Sequence, residues 1–235
     1  MNIPHYLQIK LASLDITNLK EELIKEGYLN IFAKLRLAHP SLSYNALFDL
    51  YKIYTENNTP FTNDLKQNLI LEFKNLPPVY PLLPEESIRY YLNEAEKQAH
   101  FALGNNEVPI GAVIVHENKI IGRGYNQTRT KQDIICHAEI QAIREAQIYL
   151  DNFRLDNCDI FVTLEPCLMC SGAIIHSRIR RLVFGALEPK TGASISQHQV
   201  FTNKKTNHHC QVIGPIDQAH FSELISNFFR KPSII

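Results

Sequence analysis

The sequence predicts an α/β fold, a sheet with helices over both faces, preceded by a small all-helical domain. Three observations carry this. From Ser87 onward, apolar patterns of helical period alternate with short apolar runs of strand length. Before Leu76 the apolar spacing is helical throughout. Between Leu76 and Glu85, prolines at 77, 78, 81 and 84 remove backbone donors and fix φ, so neither helix nor central strand survives there. The expected organisation is a helical domain at 1–76, a linker at 77–85 and an α/β domain at 86–231.

In the first domain Leu7, Leu11 and Leu14 repeat at i, i+4, i+7. Thr17 is positioned to cap a helix that buries Leu19 and Leu23, and Gly27 to end it. Asn30 opens a segment with Ile31 and Leu35 that Pro40 stops. Ser43 caps a longer helix burying Leu47, Leu50, Tyr51 and Tyr54, and Thr62 a last one with Leu65, Leu69 and Phe73. About 75 residues make a marginal core. In the second domain helices are expected over Ser87–Leu103, Ile140–Tyr149, Leu168–Ser177 and Gln218–Arg230. Strands are expected over Ile110–Val115, Lys119–Asn126, Asp159–Leu164, Arg181–Ala186 and Gln211–Ile213, the first two forming a hairpin about Glu117-Asn118.

The chain has 235 residues with 24 Lys+Arg against 24 Asp+Glu, so no global positive field draws in nucleic acid. Any RNA contact must be local. The helical domain is also balanced, with eight basic and eight acidic residues. Five cysteines, crowded toward the C-terminal half, suit thiols and metal ligands in a reducing compartment better than a disulfide framework. The opening residues carry neither a basic stretch nor an apolar one, and no apolar run approaches the ~18 residues of a membrane span, so a cytoplasmic location is expected.

The chemistry lies in His137-Ala138-Glu139 and Pro166-Cys167-Leu168-Met169-Cys170, each at the start of a predicted helix. Cys167 and Cys170 stand at i, i+3, on one face of a helix N-terminus that favours thiolates. Two sulfurs and the His137 imidazole would hold Zn2+ with one position open, the mark of a catalytic site. Zinc brings the pKa of water toward ~7, and Glu139, two residues on, can accept the proton. Two thiolates also cancel the charge of the ion. A lone Cys-x-x-Cys is equally half of a zinc ribbon or a redox pair, but the chain has no second one. Cys136, Cys158 and Cys210 read as buried small apolar side chains.

Those two motifs together resemble the signature of zinc-dependent nucleoside and nucleobase deaminases. Within that superfamily, Ser87 to Arg230 is similar to the tRNA adenosine deaminases that make inosine at the wobble base. The matching stretches include Glu107-Val108-Pro109-Ile110-Gly111, Gly124-Tyr125-Asn126, Thr163-Leu164-Glu165-Pro166-Cys167, Lys190-Thr191-Gly192-Ala193 and Phe228-Phe229-Arg230. The resemblance implies a cytidine-deaminase-like three-layer α/β/α fold with a mixed five-stranded sheet. It also implies a homodimer, and a tRNA anticodon stem-loop as substrate, tRNA-Arg being the expected one. By the same resemblance His137, Cys167 and Cys170 would bind zinc and Glu139 would be general acid and base. Asn126, Val108, Pro109, Ala138, Glu188, Lys190, Phe228, Phe229 and Arg230 would meet the substrate. Further candidate phosphate contacts are Arg154, Arg178, Arg180, Arg181, Lys204, Lys205 and Lys231. The first domain loosely resembles the helix-hairpin-helix-like C-terminal domain of competence-regulator proteins, without the glycine turn that grips phosphate. Alternatives on the same motif are deamination of a free nucleobase or riboflavin precursor, and a zinc-stabilised RNA-binding module without catalysis.

Overall fold

The computed structural model describes residues 3–56, 61–76, 80, 83–203 and 205–230. Pro77, Pro78 and Pro81 of the expected linker, and the candidate contacts Lys204 and Lys231, lie outside the described residues. The chain forms two compact units, Met1–Pro81 and Leu82–Ile235. Among the described residues no helix is long and apolar enough to cross a membrane.

The first unit contains α1 (His5–Ala12), α2 (Leu19–Ala38), α3 (Asn45–Thr55) and α4 (Asn63–Lys74). Leu7, Leu11, Leu23, Ile31, Phe32, Leu35, Leu47 and Leu50 share one buried core, each contributing about 1.5–3 kcal/mol of transfer free energy. Thr62 caps α4, its hydroxyl accepting the Leu65 N–H at 3.2 Å. Three expectations need correction. Asn18 rather than Thr17 caps α2, because its amide both accepts from the Glu21 N–H and donates to the Glu21 carboxylate. Gly27, as expected, interrupts the helix with non-helical backbone at φ +78°, and a second helical stretch then buries Ile31, Phe32 and Leu35. Tyr44, not Ser43, takes the N-cap position of α3, and Tyr54 near the end of that helix is 47% exposed.

The second unit runs α5 (Glu85–Gly104), β1 (Gly111–His116), β2 (Lys119–Tyr125), α6 (Thr128–Lys131), α7 (Ala138–Leu150), β3 (Asp159–Leu164), α8 (Leu168–His176), β4 (Arg181–Ala186), a 3-10 turn (Val200–Thr202), β5 (Gln211–Ile213) and α9 (Gln218–Arg230). Among the described residues α6 and the 3-10 turn are without a sequence expectation; three or four residues are too few to show a period. The sheet order is β2-β1-β3-β4-β5. β1 is antiparallel to both β2 and β3, whereas β3, β4 and β5 are parallel, which makes the mixed five-stranded sheet that was expected.

Strand alternation splits the apolar residues between two faces. Ala112, Ile114, Ile160, Val162, Leu182 and Phe184 pack with Ala142 and Ala146 of α7 and Ile174 of α8. Val113, Val115, Phe161 and Val183 pack with Leu92 and Ala95 of α5 and Phe221 of α9. The outcome is three layers. Glu117 and Asn118 join β1 to β2 with φ of 48° and 62°, the left-handed pair that a two-residue hairpin turn demands.

Candidate metal centre and active site

Strand direction gathers the functional segments at one end of the sheet. Gly111 at the start of β1 pairs with Tyr125 at the end of β2, and its N–H donates to the Thr163 hydroxyl near the end of β3. Leu164 in turn pairs with Ala186 at the end of β4. The segments entering β1 and leaving β2, β3 and β4 therefore surround the beginnings of α7 and α8. Open α/β sheets place their sites beyond the carboxyl ends of parallel strands, as here.

His137 and Cys167 hold the N-cap positions of α7 and α8 with extended backbone, ψ 155° and 175°, and neither side chain caps its own helix. Asn126, buried after β2, takes over for α7: its Oδ1 accepts the Ala138 N–H at 3.3 Å. That leaves the imidazole free to face the sulfurs. His137 Nδ1 lies 3.7 Å from Cys167 Sγ and 3.5 Å from Cys170 Sγ, and the three donor atoms all fall within 4.8 Å of one another. A tetrahedral zinc with Zn–N of about 2.0 Å and Zn–S of about 2.3 Å has N···S edges of about 3.6 Å. The residues fit the ion. No further His, Cys, Asp or Glu joins this group among the described residues.

The local electrostatics suit deprotonated ligands. A hydrogen bond from the Cys170 thiol, with His137 adding to it, holds Cys167 down at about 4 against the opposing effect of burial. The same hydrogen bond, together with burial, pushes Cys170 up. The two sulfurs thus share a proton that a cation would displace. His137 is raised by its hydrogen bond to Cys167, against burial. Glu139 is only 4% exposed; burial raises its carboxyl above the usual range, opposed by its own N–H and by His137.

The other expected site residues distribute around this end. Pro109 is buried and Val108 half-buried in the loop entering β1, while Ala138 is fully buried beside His137. Glu188 and Lys190 follow β4, and the Glu188 carboxylate accepts the Lys190 N–H at 2.9 Å. Phe228 lies under the Arg129 guanidinium, 5.1 Å from ring centroid to carbon, and stacks edge-on with Phe229, which is 63% exposed beside the exposed Arg230. Two candidate phosphate contacts are corrected. Arg181 is 2% exposed and reaches Asp159 at 3.0 Å, and Arg180 bonds the same carboxylate at 2.7 Å, at the opposite end of the sheet. Arg178 donates to the Asn207 carbonyl and Arg154 lies over the Phe153 ring. Cys136, Cys158 and Cys210 are buried, as expected.

Two buried carboxylates carry more than sequence reasoning assigned to them. Glu107, with no exposed surface, accepts from the Thr130 N–H and hydroxyl at 2.7 and 2.8 Å, tying the loop before β1 to α6. Glu165, 2% exposed, accepts from the loop after β4. The available signal was a lone acid at the edge of an apolar run, which needs donors when it is buried.

Residues 85–186 match the family profile of the cytidine and deoxycytidylate deaminase zinc-binding region. The chain is 41% identical over 146 residues to a tRNA-specific adenosine deaminase of Streptococcus pyogenes serotype M18, an alignment covering 62% of this chain and 92% of the relative. It is 45% identical over 142 residues to that of Rickettsia bellii, covering 60% of this chain and 98% of the relative. Among solved structures, a tRNA:A34 deaminase studied for A-to-I editing at the wobble position of transfer RNA superposes with a TM-score of 0.56 at 40% identity, covering 58% of this chain and 99% of that one. A guanine deaminase from Nitrosomonas europaea, at 22% identity and TM-score 0.51 over 68% of this chain and 91% of that one, shares the fold. With its zinc-binding motifs intact and nearly the whole length of such relatives spanned, the chain belongs to the tRNA-specific adenosine deaminase family.

Proposed function

We propose that this protein hydrolyses adenosine to inosine at the wobble position of a tRNA anticodon, with tRNA-Arg as the expected substrate. The observation that carries the reading is the His137–Cys167–Cys170 triangle with the buried carboxylate of Glu139 beside it. His137, Cys167 and Cys170 would hold zinc, which when bound makes water acidic near neutral pH. Glu139 takes the proton of the water that attacks adenine C6 and gives it to ring N1; it then takes the remaining proton of the new C6 hydroxyl and passes it to the exocyclic amine. Ammonia departs and the C6 carbonyl forms, so adenosine and water become inosine and ammonia. A carboxyl raised by burial suits a group that must hold that proton between steps.

An adenosine in a duplex cannot reach such a site, whereas an unpaired anticodon base can be splayed into it. Val108 and Pro109 provide an apolar wall for the base. Asn126, whose Oδ1 is committed to the α7 cap, offers its amide N–H to the nucleoside. Ala138 closes the floor beside the ligand. Lys190 and Arg230 meet phosphates, Glu188 meets the sugar, and Phe229 presents a ring for stacking next to Phe228. The protein works as a cytoplasmic homodimer on the anticodon stem-loop. Supporting the dimer, Ile134 and Leu168, which flank the ligand segments, are 82% and 53% exposed. The chain divides into a helical domain at 1–76, a linker at 77–85 and the deaminase domain at 86–231, the helical domain assisting RNA or dimer docking.

The test is to incubate zinc-loaded protein with a wobble-adenosine anticodon stem-loop and sequence the product. Inosine at the wobble position is the expected result. Ammonia released from guanine or cytosine, with no inosine in RNA, would transfer the activity to free bases. Zinc and RNA binding without turnover would leave a binding module.

A further inference from the structure

The loop between β4 and β5 carries Glu188 and Lys190, yet it is long and has little regular structure of its own. Its conformation is set largely by one carboxylate. Glu165 sits just past β3, two residues before Cys167, and its backbone N–H is spent on the Ala186 carbonyl at 2.8 Å. Its side chain faces the loop. Oε1 accepts the N–H groups of Ser194, Ile195 and Ser196 at 3.0, 2.7 and 2.9 Å. Oε2 accepts the Glu188 N–H at 3.0 Å and the Ser196 hydroxyl. One acceptor-only group thus joins the entry of the loop to its exit and pins Pro189–Ala193 between them.

The same segment is clasped a second time to the residues that begin the metal cluster. Gly192 bridges Cys167, and the Ala193 N–H donates to the Pro166 carbonyl at 2.8 Å. Gly192 is required there, since a Cβ would stand 2.4 Å from Glu165 Oε2.

We infer that Glu165 is a positioning residue for RNA binding: its buried carboxylate holds the 188–196 loop in register with the Cys167 end of the site, so that Glu188 and Lys190 meet the substrate. This rests on the RNA-deaminase reading above. It assigns Glu165 to substrate affinity and leaves proton transfer to Glu139. An uncharged amide of the same shape cannot do this, because its NH2 would face donors.

The experiment compares wild type with Glu165→Gln, Glu165→Asp and Ser196→Ala as full-length, zinc-loaded protein. Glu165→Gln is expected to raise KM for an anticodon stem-loop at least about tenfold while kcat stays within about threefold and zinc remains at one per chain. Glu165→Asp, which keeps the charge, recovers most of the lost affinity. Ser196→Ala, which removes a single donor and leaves the fold alone, raises KM by about two- to threefold. Amide hydrogen exchange at Glu188 and Ser194–Ser196 is followed in parallel and is expected to quicken at least about tenfold in Glu165→Gln, with β3 and α8 unchanged. Unchanged exchange, or a fall in kcat at constant KM, overturns the inference, as does zinc loss in both Glu165→Gln and Ser196→Ala. If wild type fails to edit RNA, the earlier reading falls, and the exchange data still decide whether Glu165 holds the loop.

Discussion

The two ends of the same sheet treat buried polar groups in opposite ways. At the start of β3 and β4, Asp159 accepts Arg180 through two nitrogens and Arg181 through a third, while Arg181 also donates to Gln211 on β5. The partners come from β3, from the residue before β4, from β4 and from β5. At the far end, the His137, Cys167 and Cys170 donor atoms come from three separate residues and fall within 4.8 Å of one another. The three buried side-chain atoms lacking a partner among the described residues, Gln127 Oε1, Gln141 Nε2 and Ser194 Oγ, all belong to segments of that end. The difference separates what the strands need in order to pair from what the protein keeps available for something else. A closed ion network stabilises the sheet and does no chemistry; a set of donors left facing one another invites a ligand.

The comparison can be broken most forcefully at the cluster. Cys170→Ala is expected to abolish zinc retention and lower kcat/KM by more than about 10⁴-fold, read by metal analysis alongside inosine formation. Retained activity would mean the triangle is not the centre. Glu139→Ala sharpens the division within that end: turnover should fall by about 10²–10⁴-fold while zinc content and RNA affinity stay near wild type. At the other end Asp159→Asn removes the carboxylate charge that faces the buried Arg181 guanidinium. Stability should drop by about 3 kcal/mol in urea unfolding, with kcat unaltered for the molecules that remain folded. An altered kcat there would dissolve the contrast between the two ends.

The smallest effect concerns Glu107, where a buried polar group of the functional end is satisfied like those of the opposite one. Burial pushes its carboxyl up, but the Thr130 N–H and hydroxyl and neighbouring donors outweigh that and leave it below the usual range. The ionised form therefore contributes stability at pH values above the unfolded carboxylate pKa of about 4.3, and that contribution is lost as pH falls through the lower folded value. Glu107→Gln should cost about 2 kcal/mol at pH 7, and the gap in Tm between variant and wild type should close as the pH falls below the unfolded carboxylate pKa of about 4.3. A gap independent of pH would show that shape rather than charge holds α6.

The strands were legible because each is a short apolar run with turn residues at its ends, and the hairpin because Glu117-Asn118 can adopt left-handed backbone. That Cys167 and Cys170 share one face was legible from their i, i+3 spacing at a helix start, whereas the approach of His137 to them was expected only from the two motifs taken together. Gln211, by contrast, gave no hint that it would bond Arg181, since that contact spans 30 residues and depends on the order of β4 and β5. The same holds for Asn126, read as a substrate contact and found also to cap α7 from 12 residues away. In the helical unit the choice between Thr17 and Asn18 turned on which side chain could satisfy Glu21, a difference of one position that propensity does not resolve. Long-range donors to single carboxylates, at Glu107 and Glu165, were the largest part left unread.

The hairpin turn at Glu117-Asn118 has a practical use. Both residues are exposed, and the turn points away from the catalytic end because β1 and β2 each run the length of the sheet. A dye, an affinity tag or a surface tether attached at Glu117 would stand about one strand, roughly 20 Å, from the cysteines. The enzyme could then be immobilised or watched without crowding the end of the sheet that carries His137, Cys167 and Cys170.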